Sequence, residues 1–302
     1  MSETRAQDII EKFQDWMERE DLTQKRAAAV LRVSEGTLSA VLNDSYKGRR
    51  DRVAERMLKV LRRDAQRQQR PEKPDVVATH ITEQVLDVLT TAHVERSLVC
   101  VLGPTGIGKT VGARKYMEIE PGTIFLVGGP GSSPTATLKD LAVAADVEAP
   151  PKKCPARECR QSVIQGMADS DRLVVIDEVD YLSEETLQSL RIVQEEAHIG
   201  MAMIGTNDFL QKLQRRRTTT SDQFLGRVSR TAYLGRCSKE DLAQIASGYN
   251  LSEEALEALA QGAQGEARRA VHALLQVQRM GEMYTPDRIR RAYKGQLPRI
   301  QE

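Results

Sequence analysis

The 302-residue sequence is poor in cysteine and in aromatic residues and contains no long apolar run. Four cysteines exclude a disulfide scaffold. Cys154 and Cys159 lie close in the chain, but the other two are distant and no histidine pair completes a zinc set. Aromatics at 4%, with a single tryptophan, disfavour a surface built on base stacking. The absence of a stretch of about 18 apolar residues excludes a membrane-spanning helix. The first residues, MSETRAQDIIEKF, lack the apolar core and small-residue cleavage site of a secretory signal. These absences point to a reduced, cytoplasmic protein. A charge excess is missing too, since 44 basic and 43 acidic residues leave a net +1. The distribution is uneven, however. Ten Lys/Arg against three Asp/Glu fall between Ser45 and Arg70, and a polyanion feels local charge rather than the sum.

What is present is a change of pattern along the chain. Residues 1–70 read as helices only. Ile9, Ile10, Phe13, Trp16 and Met17 recur at helical spacing. LTQKRAAAVLRV comes next with Thr23 as a cap, then a short helix after Ser34, then a fourth helix with Val53, Met57, Val60 and Leu61 as its apolar stripe. PEKP breaks the helix, so residues 71–76 read as a linker. From residue 77 to about 236, apolar strand-like runs alternate with helices: SLVCVLG, GTIFLVGG, DRLVVIDE, GMAMIGTN and a weaker TAYLG. That alternation predicts an α/β fold with a parallel sheet covered on both faces. Residues 237–302 return to helices, about four in number.

GPTGIGKT (Gly103, Pro104, Thr105, Gly106, Ile107, Gly108, Lys109, Thr110) satisfies G-x-x-x-x-G-K-[ST] in full. It succeeds a predicted strand and opens a predicted helix, the context a phosphate-binding loop requires and a chance Gly-rich turn would lack. The glycines let backbone N–H groups wrap phosphates at a helix N-terminus. Lys109 reaches the β- and γ-phosphates of ATP, and Thr110 ligates Mg²⁺. Asp177 and Glu178 end the buried run LVVI. There Asp177 would hold the Mg²⁺ ion and Glu178 would act as general base toward water. The plainer reading, two carboxylates favouring the next helix dipole, ignores the loop 68 residues upstream.

These residues, over about 77–280, resemble the AAA+ ATPases. The resemblance implies a polar sensor after the fourth strand, for which Asn207 in GTND fits and Thr206 is the alternative. It implies an arginine given to a neighbouring subunit, for which GRVSR offers Arg227 and, second, Arg230. It also implies a second sensor in the helical lid, matched by Arg268 in GEAR. Each arginine could instead be a solvated surface side chain.

TQKRAAAVLRVSEGTLSAVLND has a helix-turn-helix pattern: small Ala27 and Ala28 at the crossing, Val33 in the turn, Leu38 and Leu42 toward the core, and Ser34 as the cap. The segment resembles the phage-repressor type, in which the start of the second helix meets the major groove. Here that start offers Ser34, Glu35, Thr37 and Ser39, with no Arg, Asn or Gln for a bidentate base contact. Lys25 and Arg26, with Lys47, Arg49 and Arg50 nearby, suit phosphates instead. The expectation is sequence-tolerant binding of double-stranded DNA, against a bundle that only contacts protein. Lys152, Lys153, Arg157 and Arg160 before the third strand, and Arg215 to Arg217 after the fourth, are either a DNA groove or a solvated face.

The order of these parts resembles the Mu B-type transposition ATPases over nearly the whole chain. That resemblance implies ATP-dependent assembly into a homo-oligomeric filament on DNA, recruitment and stimulation of a DDE-type transposase, and disassembly on hydrolysis. Two other readings share the core: a helicase loader or replication initiator, and a nucleotide-sensing transcription regulator. The regulator needs strong base reading, which Ser34 to Ser39 supply poorly.

Overall fold

The structure is a computed structural model and describes residues 3–46, 48–68, 77–148, 154–216, 218–281 and 283–294. Residue contacts divide the chain into two compact units, Met1–Glu72 and Lys73–Glu302.

The first unit holds α1 (Glu3–Arg19), α2 (Gln24–Leu31), α3 (Glu35–Leu42) and α4 (Arg50–Gln68). Ile9, Ile10, Phe13, Trp16 and Met17 all turn inward from α1, and Met57 meets them from α4. Ala27 and Ala28 are buried, because small side chains let neighbouring helices approach closely. The Thr23 hydroxyl accepts from Arg26 N–H at 3.4 Å and the Ser34 hydroxyl from Thr37 N–H at 3.1 Å, so both predicted caps form. Arg32 ends α2 in the left-handed region, and the chain re-enters helix three residues later. Arg56 from α4 donates to the Arg32 carbonyl at 3.0 Å, placing a cation on the C-terminus of α2. One core position differs from the pattern. Val41, not Leu42, is fully buried, and Leu42 packs only at the edge of the cluster.

The second unit begins with α5 (His80–Val94) and continues β1 (Leu98–Leu102), α6 (Lys109–Ile119), β2 (Ile124–Val127), α7 (Pro134–Ala144), α8 (Ala156–Met167), β3 (Leu173–Asp177), α9 (Glu184–Ala197), β4 (Gly200–Gly205), α10 (Asp208–Arg216), α11 (Thr219–Leu225) and β5 (Val228–Tyr233). The strands form one parallel sheet in the order β2-β3-β4-β1-β5. Alternation along the strands divides the interior. Val99, Val101, Val175, Ala202 and Ile204 face α5, α6 and the C-terminal helices. Cys100, Leu102, Val174, Ile176, Met201 and Met203 face α7 to α11. Because β1, β3 and β4 are buried on both faces, they read as unbroken apolar runs. Edge strand β5 is half-exposed, which is why its pattern is weak; it starts at Val228, three residues before TAYLG. Helices α10 and α11 were not part of the sequence pattern. They are short, and they are held by Phe209 and Phe224, edge to face at 6.2 Å.

The C-terminal helices α12 (Lys239–Ile245), α13 (Glu253–Ala263), α14 (Ala267–Arg279) and α15 (Pro286–Lys294) share one apolar cluster with the sheet. The buried Asp241 carboxylate accepts from the His80 N–H at 2.7 Å and the Ser238 N–H at 2.9 Å, joining the starts of α5 and α12. Contacts therefore place residues 237–294 in the same unit as the sheet. No helix among the described residues is long and apolar enough to cross a membrane.

Candidate nucleotide site

The site lies at the carboxyl ends of the strands, where β1 sits between β4 and β5. Gly103 leaves β1 in tight quarters: a Cβ there would meet the Leu234 carbonyl oxygen at 2.9 Å. Gly106 (φ +79°) and Gly108 (φ +111°) occupy backbone that L side chains rarely adopt. The loop turns through them and delivers Lys109 and Thr110 to the first turn of α6, where N–H groups lack helical acceptors. Ile107 is buried in the core, so only its backbone is available to a ligand. Pro104 is half-buried and Thr105 exposed.

Lys109 Nζ donates to the carbonyls of Gly103 (2.7 Å) and Pro104 (2.8 Å). Burial lowers its pKa; Asp177 and Asp180 oppose that shift, and Arg268 adds to it. Thr110 Oγ1 donates to Asp177 Oδ2 at 2.6 Å, while Asp177 Oδ1 accepts from Glu178 N–H at 2.9 Å. A hydroxyl and a buried carboxylate side by side are the hard oxygen donors that fit Mg²⁺. Among the described residues no group of three His, Cys, Asp or Glu could hold a metal.

Glu178 comes directly after β3 in the left-handed region (φ 54°) and its side chain is exposed. Two further groups stand beside it, neither among the predicted site residues. Gly128, at the end of β2, donates its N–H to the Asp177 carbonyl at 2.7 Å, and a Cβ on it would strike the Glu178 carbonyl. Asp180 accepts from Thr206 N–H (2.8 Å) and Thr206 Oγ1 (2.6 Å). That clamp commits Thr206 to Asp180 and leaves Asn207 exposed beyond it. A third acid in DEVD was the available signal for Asp180.

The arginines separate clearly. Arg268 N–H donates to the Gly106 carbonyl at 2.9 Å, so α14 starts against the phosphate loop, with the Arg268 side chain exposed. Cys237 reinforces this lid contact, its N–H donating to Gly265 O (2.9 Å) and its thiol to Ile107 O (3.4 Å). Arg227 precedes β5 and is 63% exposed, with Nε 2.8 Å from Glu195 Oε1. Arg230 instead turns back onto α5, bonding Asp87 (2.6 Å) and Thr91 (2.9 Å).

The basic groups vary in availability. Lys25, Arg26 and Arg49 are exposed. Arg50 is held by Asp44 and, at 2.7 Å, by Gln7. The hydroxyls of Ser34 and Thr37 bond one another at 2.8 Å, and Ser39 Oγ accepts from Asn43 at 3.4 Å. Arg157 is exposed and Arg160 half-buried on α8, and Arg215 is exposed on α10. Lys47, Lys152, Lys153 and Arg217, with the side chain of Arg216, lie outside the described residues.

A glycine-rich loop after β1, Asp177 and Glu178 at the end of β3, Thr206 and Asn207 after β4 and a set of C-terminal helices on a β2-β3-β4-β1-β5 sheet make an AAA+ fold, and residues 92–213 match the AAA domain family. The chain is similar to the ATP-dependent target DNA activator B of Escherichia phage Mu, at 28% identity over 95% of this chain and 94% of that protein. It is also similar to the Mu-like prophage FluMu DNA transposition protein B of Haemophilus influenzae, at 28% identity over 83% of this chain and 89% of that one. Among solved structures it resembles Cdc6p from Pyrobaculum aerophilum (TM-score 0.59, 20% identity, 77% of this chain and 70% of that one). It also resembles domain III of the Thermotoga maritima replication initiation protein DnaA (TM-score 0.51, 17% identity, 74% and 98%). At those identities the two structures speak to the fold alone.

Proposed function

We propose that this protein is an ATPase that assembles as a homo-oligomer on double-stranded DNA in its ATP-bound state, recruits and stimulates a transposase there, and disassembles on hydrolysis. The observation that carries this reading is the Thr110–Asp177 pair beside the phosphate loop, in a chain similar along 95% of its length to an ATP-dependent target DNA activator.

The residues divide the work. The backbone of residues 103–108 and the start of α6 would hold the phosphates of ATP, and Lys109 would exchange its carbonyl partners for the β- and γ-phosphate oxygens. Bound Mg²⁺, held by Thr110 and through Asp177, would neutralise phosphate charge. Glu178 Oε would take a proton from the attacking water as its oxygen bonds to the γ-phosphorus; the bond to the bridging oxygen breaks, leaving ADP and phosphate. Asn207 would orient the γ-phosphate, Arg268 would couple nucleotide to lid angle, and Arg227 would reach a neighbouring subunit's nucleotide. DNA contact falls to Lys25, Arg26, Arg49, Arg157 and Arg160 among the described residues. The engaged hydroxyls of Ser34 and Thr37 favour phosphate contacts over base reading.

The test is binding to a random-sequence duplex without nucleotide, with ADP and with ATP, while imaging the products. Filaments with ATP alone, indifferent to sequence and lost at high salt, support the proposal. Tight binding at one site whatever the nucleotide refutes it in favour of a regulator. Capture of a replicative helicase instead of a transposase would favour the loader reading.

A further inference from the structure

The Arg227 side chain is long and lies mostly in solvent, yet it is not left to wander. Glu195, near the end of α9, meets its Nε at 2.8 Å. The carboxylate engages the guanidinium at Nε rather than at a terminal nitrogen, on a side chain that is 63% exposed. Oε1 of Glu195 is buried and accepts no hydrogen bond of good geometry, so the charge of Arg227 is what offsets it. The other carboxylate oxygen is fixed by Arg191, at 2.5 Å and one turn back. Arg191 is itself 11% exposed and held through Nε by Gln188 at 3.0 Å. Gln188 in turn donates to Gln223 of α11 at 2.9 Å. A polar chain thus runs from α11 along α9 to the turn that carries Arg227. Beside it opens a cleft of about 440 Å³ lined by Arg191, Glu195, Asp222, Gln223, Gly226 and Arg227.

We infer that Glu195 is a positioning residue for Arg227: it orders the guanidinium before assembly by engaging Nε, the nitrogen that a phosphate gripped by the terminal N–H groups does not need. This rests on the reading of Arg227 as the arginine supplied to a neighbour. Arg191 fixes the carboxylate, so the unit acts as a socket rather than a lone surface pair. Preordering matters because an arginine side chain loses rotamer entropy when it engages phosphate, and because misplacement of about 1 Å at a reacting centre can cost 10²-fold.

The experiment uses the full chain with DNA. Glu195→Ala should lower kcat at saturating ATP and DNA by about tenfold, with KM for ATP within about twofold of wild type. Glu195→Gln, which keeps the volume and removes the charge, should fall between, and serves if the alanine variant melts early. The decisive measurement is mixing with Glu178→Gln, whose own site is dead but whose Arg227 is intact. In a 1:1 co-assembly, Glu195→Ala subunits receive a good arginine from half their neighbours. Phosphate release should then rise toward about a quarter of the wild-type rate, as a head-to-tail interface requires. Arg227→Ala is mixed in parallel. If Arg227→Ala is rescued but Glu195→Ala turns over normally, or is slow and not rescued, the positioning role is wrong while the reading of Arg227 stands. If Arg227→Ala itself is not rescued, Arg227 does not act in trans and the inference falls with it.

Discussion

Gly128→Ala tests whether the backbone around Glu178 is as constrained as its geometry indicates. An added Cβ would lie 2.6 Å from the Glu178 carbonyl oxygen, 3.2 Å from its carbon and 3.3 Å from the Asp177 oxygen. All three are backbone atoms, so no side chain can rotate away. Ordinary contact begins near 3.4 Å, and the segment must open by about 0.8 Å to reach it. Glu178 already sits in the left-handed region, a conformation that costs about 1–2 kcal/mol and persists only while its surroundings enforce it. With Glu178 as the proposed general base, a shift of that size should lower kcat by about tenfold to hundredfold, or ~1.4–2.7 kcal/mol of barrier. Overpacking should cost about 1–3 kcal/mol of stability. ATP affinity should stay within about twofold, because the phosphate loop is untouched. The assay pairs steady-state phosphate release at saturating ATP and DNA with equilibrium nucleotide binding and a denaturant melt. Gly122→Ala is the control, since its added Cβ meets nothing within 4 Å. Wild-type kcat and stability in Gly128→Ala would refute the argument. A loss of ATP affinity matching the loss of kcat would show that the strain travels to the phosphate loop instead.

Glu178→Gln should bind ATP and DNA but release phosphate at least about 10²-fold more slowly, leaving persistent filaments in images; ordinary turnover would remove its role as base. Arg227→Ala should keep ATP binding and lose about 10³-fold of DNA-stimulated hydrolysis, whereas Arg230→Ala, which only frees Asp87 and Thr91, should change stability by about 1 kcal/mol or less; the reverse result would move the role to Arg230. Lys25→Ala and Arg26→Ala should each reduce the slope of log K against log salt by about 1 and weaken all sequences alike. A loss confined to one sequence, read from binding titrations on several duplexes, would contradict phosphate contact. Burial pushes the Cys100 thiol up to about 12 and the Cys159 thiol up to about 11, so both should resist alkylation at pH 8 until the protein unfolds. Because the folded values are raised, that share of stability is whole below the ordinary 9.0 and is lost as pH rises toward those values. Rapid labelling of Cys100 or Cys159 in native protein, read by peptide mapping, would show that β1 or α8 opens.

The chain order of the elements could be read from the sequence, because local rules write them into it. The phosphate loop needs glycine where φ is positive, at Gly106 and Gly108, and a lysine and threonine on the first helical turn. Strands buried on both faces must be apolar throughout, so β1, β3 and β4 announced themselves while half-exposed β5 barely did. Caps at Thr23 and Ser34 act over three residues and were visible for the same reason. Helices α10 and α11 were not, since each is short and its apolar side chains, Phe209, Leu210 and Leu213 on one and Phe224 on the other, find their partners on other elements.

Tertiary structure alone decided which polar groups meet. Nothing in DEVD and GTND says that Asp180 closes on Thr206 and so exposes Asn207. Spacing says nothing of the partners of Arg227 and Arg230; both are exposed, one against Glu195 of α9 and the other against Asp87 of α5. The C-terminal helices meet the loop through pairs far apart in the chain, Arg268 N–H with Gly106 O, 162 positions away, and the Cys237 thiol with Ile107 O. Sequence by itself determines the features set by neighbours within a few residues, through period, cap and turn. Pairings across long separations depend on how distant segments pack, and the contacts of Asp180, Glu195 and Gly128 belong to that second kind.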